Sequence, residues 1–555
     1  MLISVEVSEK SFGSKTLYKD LDFDIQENEK VGLIGRNGTG KSTLFNIITG
    51  EDKDFEGEIG IKRGTIVVSS RQEHHGHENK TVLEYIQGDL PEYARLTHII
   101  DTFPDTMGND NRKLQIFSDA LDRFGQLNYY QIEDEIQQAF EKYQIDSKKM
   151  HVSFGSLSGG ERRMVDLIKV QRSRGDINLI DEPTNHMDYI AKAEFVKWLK
   201  ASPEAALVIT HDRDVLSIVD RIIEIRDGRC FSFRGNYQNY LRTNTSQTTN
   251  LVNDYESSQR RISNLEDDVI RFRRLKEKAR NPGTIKRFKS QEMKAQAEIS
   301  KLRGTVKPSF WIDQESVKGM NDKLLSAYDK HKTKNINLTT RKKTDSISDQ
   351  TLIKVTNLSL GYGKTPLFEN INFTIRSGER IRLHGRNGAG KSTIVKAIMA
   401  QVDGSPSAAN YLKGSIETRP AIKIGLYEQE IDTSYLGMTL YEAIEKILRD
   451  KNLPISDQKI KQLMSDYLFN PMADGKTLVD NLSGGQKARV QLIAMLANDP
   501  QMLILDEPTN HLDLPSIEEL ENAMQNYYGA IIYISHDSFF ANKIGGEEIK
   551  MDQSL

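Results

Sequence analysis

Gly35-Arg36-Asn37-Gly38-Thr39-Gly40-Lys41-Ser42-Thr43 returns 350 positions later as Gly385-Arg386-Asn387-Gly388-Ala389-Gly390-Lys391-Ser392-Thr393. Each copy follows a segment that alternates apolar and polar residues, as a strand does. A strand followed by Gly-x-x-x-x-Gly-Lys-Ser/Thr reads as a phosphate-binding loop. Its glycines let successive backbone N–H groups turn toward one anion, and the helix that follows adds the positive end of its dipole. The candidate cradles are Gly35, Asn37, Gly38, Gly40 and Thr43 in one copy and Gly385, Asn387, Gly388, Gly390 and Thr393 in the other. Lys41 and Lys391 would neutralise the β- and γ-phosphates of a nucleotide, and Ser42 and Ser392 would place a hydroxyl on Mg²⁺. Two such loops at matched places in a repeat are not a chance occurrence.

The loops are the first of several repeated blocks. Leu157-Ser158-Gly159-Gly160-Glu161 matches Leu482-Ser483-Gly484-Gly485-Gln486, Asp181-Glu182-Pro183-Thr184-Asn185-His186 matches Asp506-Glu507-Pro508-Thr509-Asn510-His511, and His211-Asp212 matches His536-Asp537. These three blocks share an offset of 325, against 350 for the loops, and the pair Gln72 and Gln429 lies at 357. The first copy therefore carries about thirty extra residues between Gln72 and Leu157, an insertion around residues 85–135 of one of two duplicated domains.

Bulk composition agrees with a globular protein of two or three domains. The chain has 555 residues, 37% hydrophobic and 28% charged. No apolar run approaches the roughly 20 residues of a membrane-spanning helix. Met1–Val7 alternates like a strand and lacks the basic segment and apolar core of a signal peptide. The single cysteine, Cys230, excludes an intramolecular disulfide framework and cysteine-rich metal sites, and implies a reducing, cytoplasmic setting. The net charge of −3 hides an asymmetry: residues 241–350 hold 24 Lys+Arg against 14 Asp+Glu. A basic middle between two acidic flanks fits a polyanionic partner or a solvated charged helix pair.

Within that middle, Leu251, Tyr255, Ser258, Ile262, Leu265, Val269 and Phe272 step by four and three residues, the seam of a long helix. Asn281-Pro282-Gly283 breaks it, and Ile285, Phe288, Ala295, Ile299 and Leu302 continue a second helical pattern. The expectation is an antiparallel helical hairpin with a basic tip, where Arg271, Arg273, Arg274, Arg280, Lys286, Arg287 and Lys289 are candidates for binding RNA phosphates. Residues 304–350, with Trp311 and Tyr328, carry no assignable pattern.

The repeated carboxylates and histidines fit nucleotide hydrolysis. Asp181 and Asp506 end apolar strands, at the C-terminal edge of a parallel sheet where ligands bind; there they would hold Mg²⁺. Glu182 and Glu507 can polarise the attacking water as general bases. His211 and His536 each follow a short apolar strand, and as a matched pair they point to a shared role in sensing the γ-phosphate. Asn178, polar within an apolar run, is expected at a strand edge.

The order phosphate loop, glutamine, Leu-Ser-Gly-Gly, Asp-Glu, His resembles the ATP-binding cassette superfamily over nearly all of both repeats. The resemblance implies that Leu-Ser-Gly-Gly of one cassette caps the ATP of the other. One site would then join Lys41, Gln72, Asp181, Glu182 and His211 to Ser483, Gly484 and Gly485. The other would join Lys391, Gln429, Asp506, Glu507 and His536 to Ser158, Gly159 and Gly160. It also implies that Gln72 and Gln429 reach Mg²⁺, that Phe12 and Tyr362 stack on adenine, and that Asp188 and Asp513 lie in loops coupling the sites.

Two cassettes in one chain, with Asp-Glu-Pro-Thr-Asn-His-x-Asp in both and a basic helical hairpin between them, look like the ABC-F subfamily. The fold class so implied is α/β: two ABC-type P-loop ATPase domains, 1–241 and 350–555, joined by a hairpin linker, 242–349. The family's bacterial members bind the 70S ribosome at the tRNA exit site as monomers with intramolecular cassette pairing. They push the hairpin toward peptidyl-tRNA, rRNA and the peptidyl-transferase centre, and the insertion resembles an arm that can touch the L1 stalk. Translation factors and proteins that dislodge antibiotics share this plan; the arm and the short stretch after His536 favour the former. A transporter's cassette pair would need membrane partners, a DNA-acting ATPase a longer coiled coil or a zinc-binding insertion, and a nonhydrolytic scaffold would not need both glutamates.

Overall fold

The computed structural model describes residues 1–12, 15–70, 77–106, 108, 110–185, 187–303, 336–338, 350–363, 365–406 and 409–551. It divides into two compact units: residues 1–232 together with 335–555, and residues 233–334.

The first unit holds both cassettes, each built around a parallel sheet. In the first cassette, strands β1 (Ile3–Phe12), β2 (Lys15–Ile25) and β4 (Glu56–Ile61) form an antiparallel sheet in the order β2-β1-β4. β3 (Lys30–Gly35) instead enters a six-stranded sheet with β5 (Val67–Ser69), β6 (Ile177–Asp181), β7 (Ala205–Ile209), β8 (Arg221–Arg226) and β9 (Arg229–Arg234), in the order β5-β6-β7-β3-β8-β9. β3, β6 and β7 read as near-continuous apolar runs because both faces of the sheet are covered. One face packs on β1, β2 and α1 (Lys41–Ile48) through Val5, Tyr18, Leu44 and Leu179. The other packs on a helical layer containing α2 (Val82–Gly88), α5 (Ile132–Lys142), α6 (Gly159–Ser173) and α7 (Tyr189–Ala201), through Ile86, Phe140, Ile168 and Phe195. Between α2 and α5 run α3 (Tyr93–Thr106) and α4 (Asn111–Gln126), which pack through Leu96, Ile99, Ala120 and Phe124. Among the described residues the second cassette has no helix at the corresponding place. α8 (Arg213–Leu216) is a single turn after β7.

The second unit is dominated by α9 (Tyr237–Lys278) and α10 (Pro282–Arg303). Ion pairs Arg261–Glu298 at 2.9 Å, Arg303–Glu266 at 2.6 Å and Arg273–Glu292 at 2.8 Å fix the two as antiparallel neighbours. The seam is thin: Ile262, Leu265, Val269, Ala295 and Ile299 are buried, with Leu302 beside them and Phe272 stacked on Phe288. Pro282 opens α10 at the position where its missing N–H costs nothing. Asn281 Oδ1 accepts from the Gly283 N–H at 2.8 Å and closes the turn. All seven candidate RNA-binding residues are exposed. Arg273 is tied to Glu292, so it serves the hairpin rather than standing ready for a partner.

The second cassette repeats the plan. β10 (Thr351–Tyr362), β11 (Thr365–Arg376) and β13 (Asn410–Thr418) form the antiparallel sheet. β12 (Arg380–His384), β14 (Ile424–Tyr427), β15 (Met502–Asp506), β16 (Ala530–Ile534) and β17 (Glu547–Lys550) form the parallel one, ordered β14-β15-β16-β12-β17. Its helices are α11 (Lys391–Asp403), α12 (Leu440–Asp450), α13 (Asp457–Asp466), α14 (Gly484–Leu496), α15 (Leu514–Gln525) and α16 (Ser538–Ile544).

Asn178 is not at a sheet edge. It lies in β6, between Val68 of β5 and Ala206 of β7, 2% exposed, with its Oδ1 buried and, among the described residues, lacking a hydrogen-bond partner. The matched residue of β15 is Leu503, whose neighbour in β14 is Gly425. A Cβ on Gly425 would stand 2.8 Å from Leu503 Cδ2, so the leucine has taken the room the glycine leaves. In the first cassette Val68 fills that room and a smaller residue stands beside it. The change Asn178→Leu should therefore be more favourable by about 1–3 kcal/mol in a Val68→Ala background than alone, since overpacking costs about that much. Denaturant unfolding of the four proteins measures the difference, and additive effects would contradict the packing argument.

Candidate functional site

Each phosphate loop is held in shape by its own lysine. Lys41 Nζ donates to the carbonyls of Gly35 and Arg36 at 2.7 and 3.2 Å, and Lys391 Nζ to those of Gly385 and Arg386 at 2.6 and 2.8 Å. Ser42 Oγ donates to Asp181 Oδ2 at 2.8 Å and Ser392 Oγ to Asp506 Oδ2 at 2.6 Å. The strand end thus delivers a carboxylate to the first turn of the loop's helix. A hydroxyl and a carboxylate side by side are hard oxygen donors, the set that Mg²⁺ takes when nucleotide phosphates supply its remaining ligands.

Glu182 and Glu507 sit one residue further on, with φ of 46° and 50°. A non-glycine residue pays for that left-handed backbone and keeps it only where its surroundings insist. Here the N–H groups of Glu182 and Glu507 donate to the carbonyls of Ile209 and Ile534, at 2.8 and 2.9 Å, on the neighbouring strand. Burial, and then the adjacent Asp181 carboxylate, push the Glu182 carboxyl up to about 8; burial and Asp506 push Glu507 to about 7. Burial, and then the nearby lysine ammonium, bring His211 and His536 down to about 3, so both are neutral at physiological pH. His211 Nε2 lies 3.6 Å from Glu182 Oε1, and His536 Nε2 3.4 Å from Glu507 Oε1. Among the described residues neither imidazole has a hydrogen-bond partner for either nitrogen.

The Leu-Ser-Gly-Gly segments begin helices. Ser158 caps α6 and Ser483 caps α14, each in a capping box whose return arm is Glu161 or Gln486. That reciprocal bonding explains the fifth residue of each block. These helix starts lie against the opposite cassette's phosphate loop. Asn37 Nδ2 donates to the His511 carbonyl at 2.8 Å, and a Cβ on Gly485 would fall 2.0 Å from that same Nδ2. Asp513 caps α15 and also accepts from the Asn37 N–H at 3.3 Å; Asp188 caps α7 and accepts from the Asn387 N–H at 3.2 Å.

Two cavities result. The first, about 760 Å³, is lined by Asn37, Gly38, Gly40, Lys41, Ser42, Thr43, Asp181, Glu182 and His211 of one cassette and by Ser483, Gly484 and Gly485 of the other. The second, about 500 Å³, is lined by Tyr362, Asn387, Gly388, Gly390, Lys391, Ser392, Thr393, Gln429, Asp506, Glu507 and His536, with Ser158 and Gly160 opposite. Glu507, Asn510, His536 and Met187 line both. Gly159 opens onto the first cavity rather than the second. Gln72 and the side chain of Phe12 lie outside the described residues.

Sequence reading missed the cross-cassette polar contacts. Arg36 reaches Asp513 at 3.7 Å, Arg386 bonds Gln144, and Lys192 donates to the His536 carbonyl at 3.3 Å. The arginines lie inside the quoted loops and were available to suspicion. Lys192 carries no motif.

A family model described as ABC transporter matches residues 18–185 and 368–510, and a second with the same description matches 223–303. The putative ATP-binding protein YdiF of Bacillus subtilis is 27% identical, over 100% of this chain and 80% of the relative. The ribosome protection protein VmlR of the same organism is 26% identical over 98% and 84%. ABC transporter F family member 5 of Arabidopsis thaliana is 28% identical over 99% and 75%. The crystal structure of archaeal ribosomal stalk protein aP1 with the ribosome recycling factor aABCE1 aligns with 98% of this chain and 87% of that one. Its TM-score of 0.57 at 17% identity marks a shared fold. Among the described residues no helix is long and apolar enough to cross a membrane. With both cassettes matched, the hairpin region matched and relatives similar along nearly its whole length, the chain belongs to the ATP-binding cassette family, as an ATPase of its ABC-F branch.

Proposed function

We propose that this ATPase is a cytoplasmic ribosome-binding factor that uses ATP to switch the cassette pair and applies the hairpin to peptidyl-tRNA near the peptidyl-transferase centre. The observation that carries the reading is the hairpin end. Residues 271–289 hold nine basic side chains and one acidic one. Arg271, Arg274, Arg280, Lys286, Arg287 and Lys289 are exposed there and, among the described residues, make no ion pair. A charge concentration left without ion pairs among the described residues suits phosphates of rRNA or tRNA. The relative named as a ribosome protection protein, similar along 98% of this chain, supports the same partner. It also favours a second reading, release of ribosome-bound antibiotics.

At each site the proposed roles follow the geometry. Lys41 and Lys391 leave their loop carbonyls for the β- and γ-phosphates, and the loop N–H groups hold the remaining oxygens. Ser42 with Asp181, and Ser392 with Asp506 and Gln429, would hold Mg²⁺, which neutralises charge building on the phosphate oxygens; Gln72 would join the first set. Ser483 to Gly485 and Ser158 to Gly160 aim helix starts at the γ-phosphate and exclude water. Glu182 and Glu507 take the proton of the attacking water, and the neutral imidazoles of His211 and His536 orient the phosphate. Tyr362, 58% exposed at the mouth of the second cavity, offers its ring to adenine. The functional division remains 1–241, 242–349 and 350–555, with the α3–α4 insertion as an arm toward the L1 stalk.

Three outcomes test this. Glu182→Gln with Glu507→Gln should cut turnover by about 10²–10⁴-fold while ATP binding persists, because an amide cannot accept the water's proton; steady-state hydrolysis near wild type would refute the catalytic assignment. Ribosome binding should weaken with salt, and Arg271→Gln with Arg274→Gln should reduce the slope of log K against log salt by about 1.5–2. An unchanged slope would mean these side chains meet no phosphate. Replacing residues 280–289 by a Gly/Ser turn should keep intrinsic hydrolysis within about two-fold, since general-base and phosphate contacts stay intact. It should abolish the effect on stalled or antibiotic-bound ribosomes in translation assays. Assays of each ribosome type separate the two readings.

A further inference from the structure

The loop after His211 differs in kind from the loop after His536. Asp212, Arg213 and Asp214 stand where the second copy has Asp537, Ser538 and Phe539. All three charges of the first loop are tied down. Arg213 Nη1 donates to Glu521 Oε1, 2.7 Å away on α15 of the other cassette. Glu521 is 0% exposed and takes Lys543 Nζ at 3.0 Å on its second oxygen. Asp212 and Asp214 bracket Lys192 Nζ at 2.8 and 2.5 Å. Asp214 also accepts from Ser538 Oγ at 2.8 Å, across the interface.

The repeat supplies no mirror image of this arrangement. Where Arg213, Glu521, Lys192 and Lys543 stand, the other copy has Ser538, Val196, Ile517 and Ile218. Buried charges are retained only when paired, and removing one partner of such a pair is costly. Lys192 holds Asp212 and Asp214 within the first cassette and Lys543 holds Glu521 within the second, so it is the Arg213–Glu521 pair that depends on closure. That pair anchors the first histidine loop through a buried charge, whereas the second loop is met by uncharged groups: Ser538 on Asp214, the His536 carbonyl on Lys192 and the Phe539 ring under Arg213.

What it positions is His211. Among the described residues that ring has no hydrogen-bond partner for either nitrogen. Its place beside Glu182 is set by its backbone, and Arg213 anchors that backbone two residues on. We propose that Arg213 and Glu521 are a positioning pair acting mainly on the first nucleotide site, so that the two sites hydrolyse ATP with unequal dependence on cassette closure. The inference rests on Glu182 and Glu507 as the two bases.

The test isolates one site at a time in the full-length chain. Glu507→Gln leaves the first site to turn over, and Glu182→Gln leaves the second. Arg213→Ser, which installs the residue of the other copy, should lower kcat about ten-fold or more in the Glu507→Gln chain, since a small misplacement far from the chemistry costs that much. KM for ATP should stay within about three-fold there, because the phosphate loop and the cap are untouched. In the Glu182→Gln chain kcat should stay within about three-fold, as Ser538 keeps its bond to Asp214 and the His536 carbonyl its bond to Lys192 when the Phe539 ring loses Arg213. Arg213→Lys should recover most of the loss, and it guards against a folding defect in the serine variant. Equal slowing of both sites would mean that Arg213 only holds the cassettes together, and would overturn the inference, as would an unslowed first site. Hydrolysis persisting in the Glu182→Gln, Glu507→Gln chain would instead overturn the glutamate assignment, and with it this one.

Discussion

The contact between the Asn37 side chain and the His511 carbonyl, with Gly485 giving it room, is the constraint on which the nucleotide sites depend. A phosphate loop alone covers one side of its ligand. Here the other side is supplied by a helix start from a different cassette, and the two surfaces meet at hydrogen-bond distance. A side chain at Gly485 would hold them apart. The aspartates Asp188 and Asp513 reinforce the closure by doing two things at once: each caps its own helix and accepts a backbone N–H from the opposing loop. Helix capping and cassette closure therefore share a carboxylate, Oδ1 serving the cap and Oδ2 the opposing loop, so that the cap holds the closing oxygen in place.

Closure also sets the electrostatics. Taken out of water, Glu182 and Glu507 resist ionisation and His211 and His536 resist protonation, while Lys41 and Lys391 stay beside them. The carboxyls titrate near neutral pH and the imidazoles far below it, which separates a group able to exchange a proton from one able only to orient. The two carboxyls are presented by a backbone held in a left-handed turn through hydrogen bonds to the neighbouring strand. The chemistry is thus prepared by the sheet before any ligand arrives.

The hairpin follows a different logic. Its buried seam is a single row of apolar residues, so much of its cohesion is ionic: Arg261 with Glu298, Arg303 with Glu266, and Glu292 shared between Arg273 and Lys276. Exposed pairs of this kind each contribute about 0–1 kcal/mol. Toward the turn the acidic partners thin out, and among the described residues the positive charge of Arg271, Arg274, Arg280, Lys286, Arg287 and Lys289 makes no ion pair.

The motifs, their duplication and the helical hairpin were legible in sequence because each depends on local rules. Glycine at fixed spacing makes an anion cradle, apolar runs make buried parallel strands, and a four-and-three step makes a helix seam. The capping boxes at Ser158 and Ser483 were equally readable, since they need only the residue three places on. Asn178 was misjudged because a polar residue in a strand says nothing about its neighbours across the sheet; Val68 and Gly425 decide that, and they lie over seventy positions away in each copy. The cross-cassette pairs of Arg213 with Glu521 and Asn37 with His511 were equally hidden. They join residues 308 and 474 positions apart, and no periodicity or spacing registers a contact that forms only when two separately folded sheets are brought face to face.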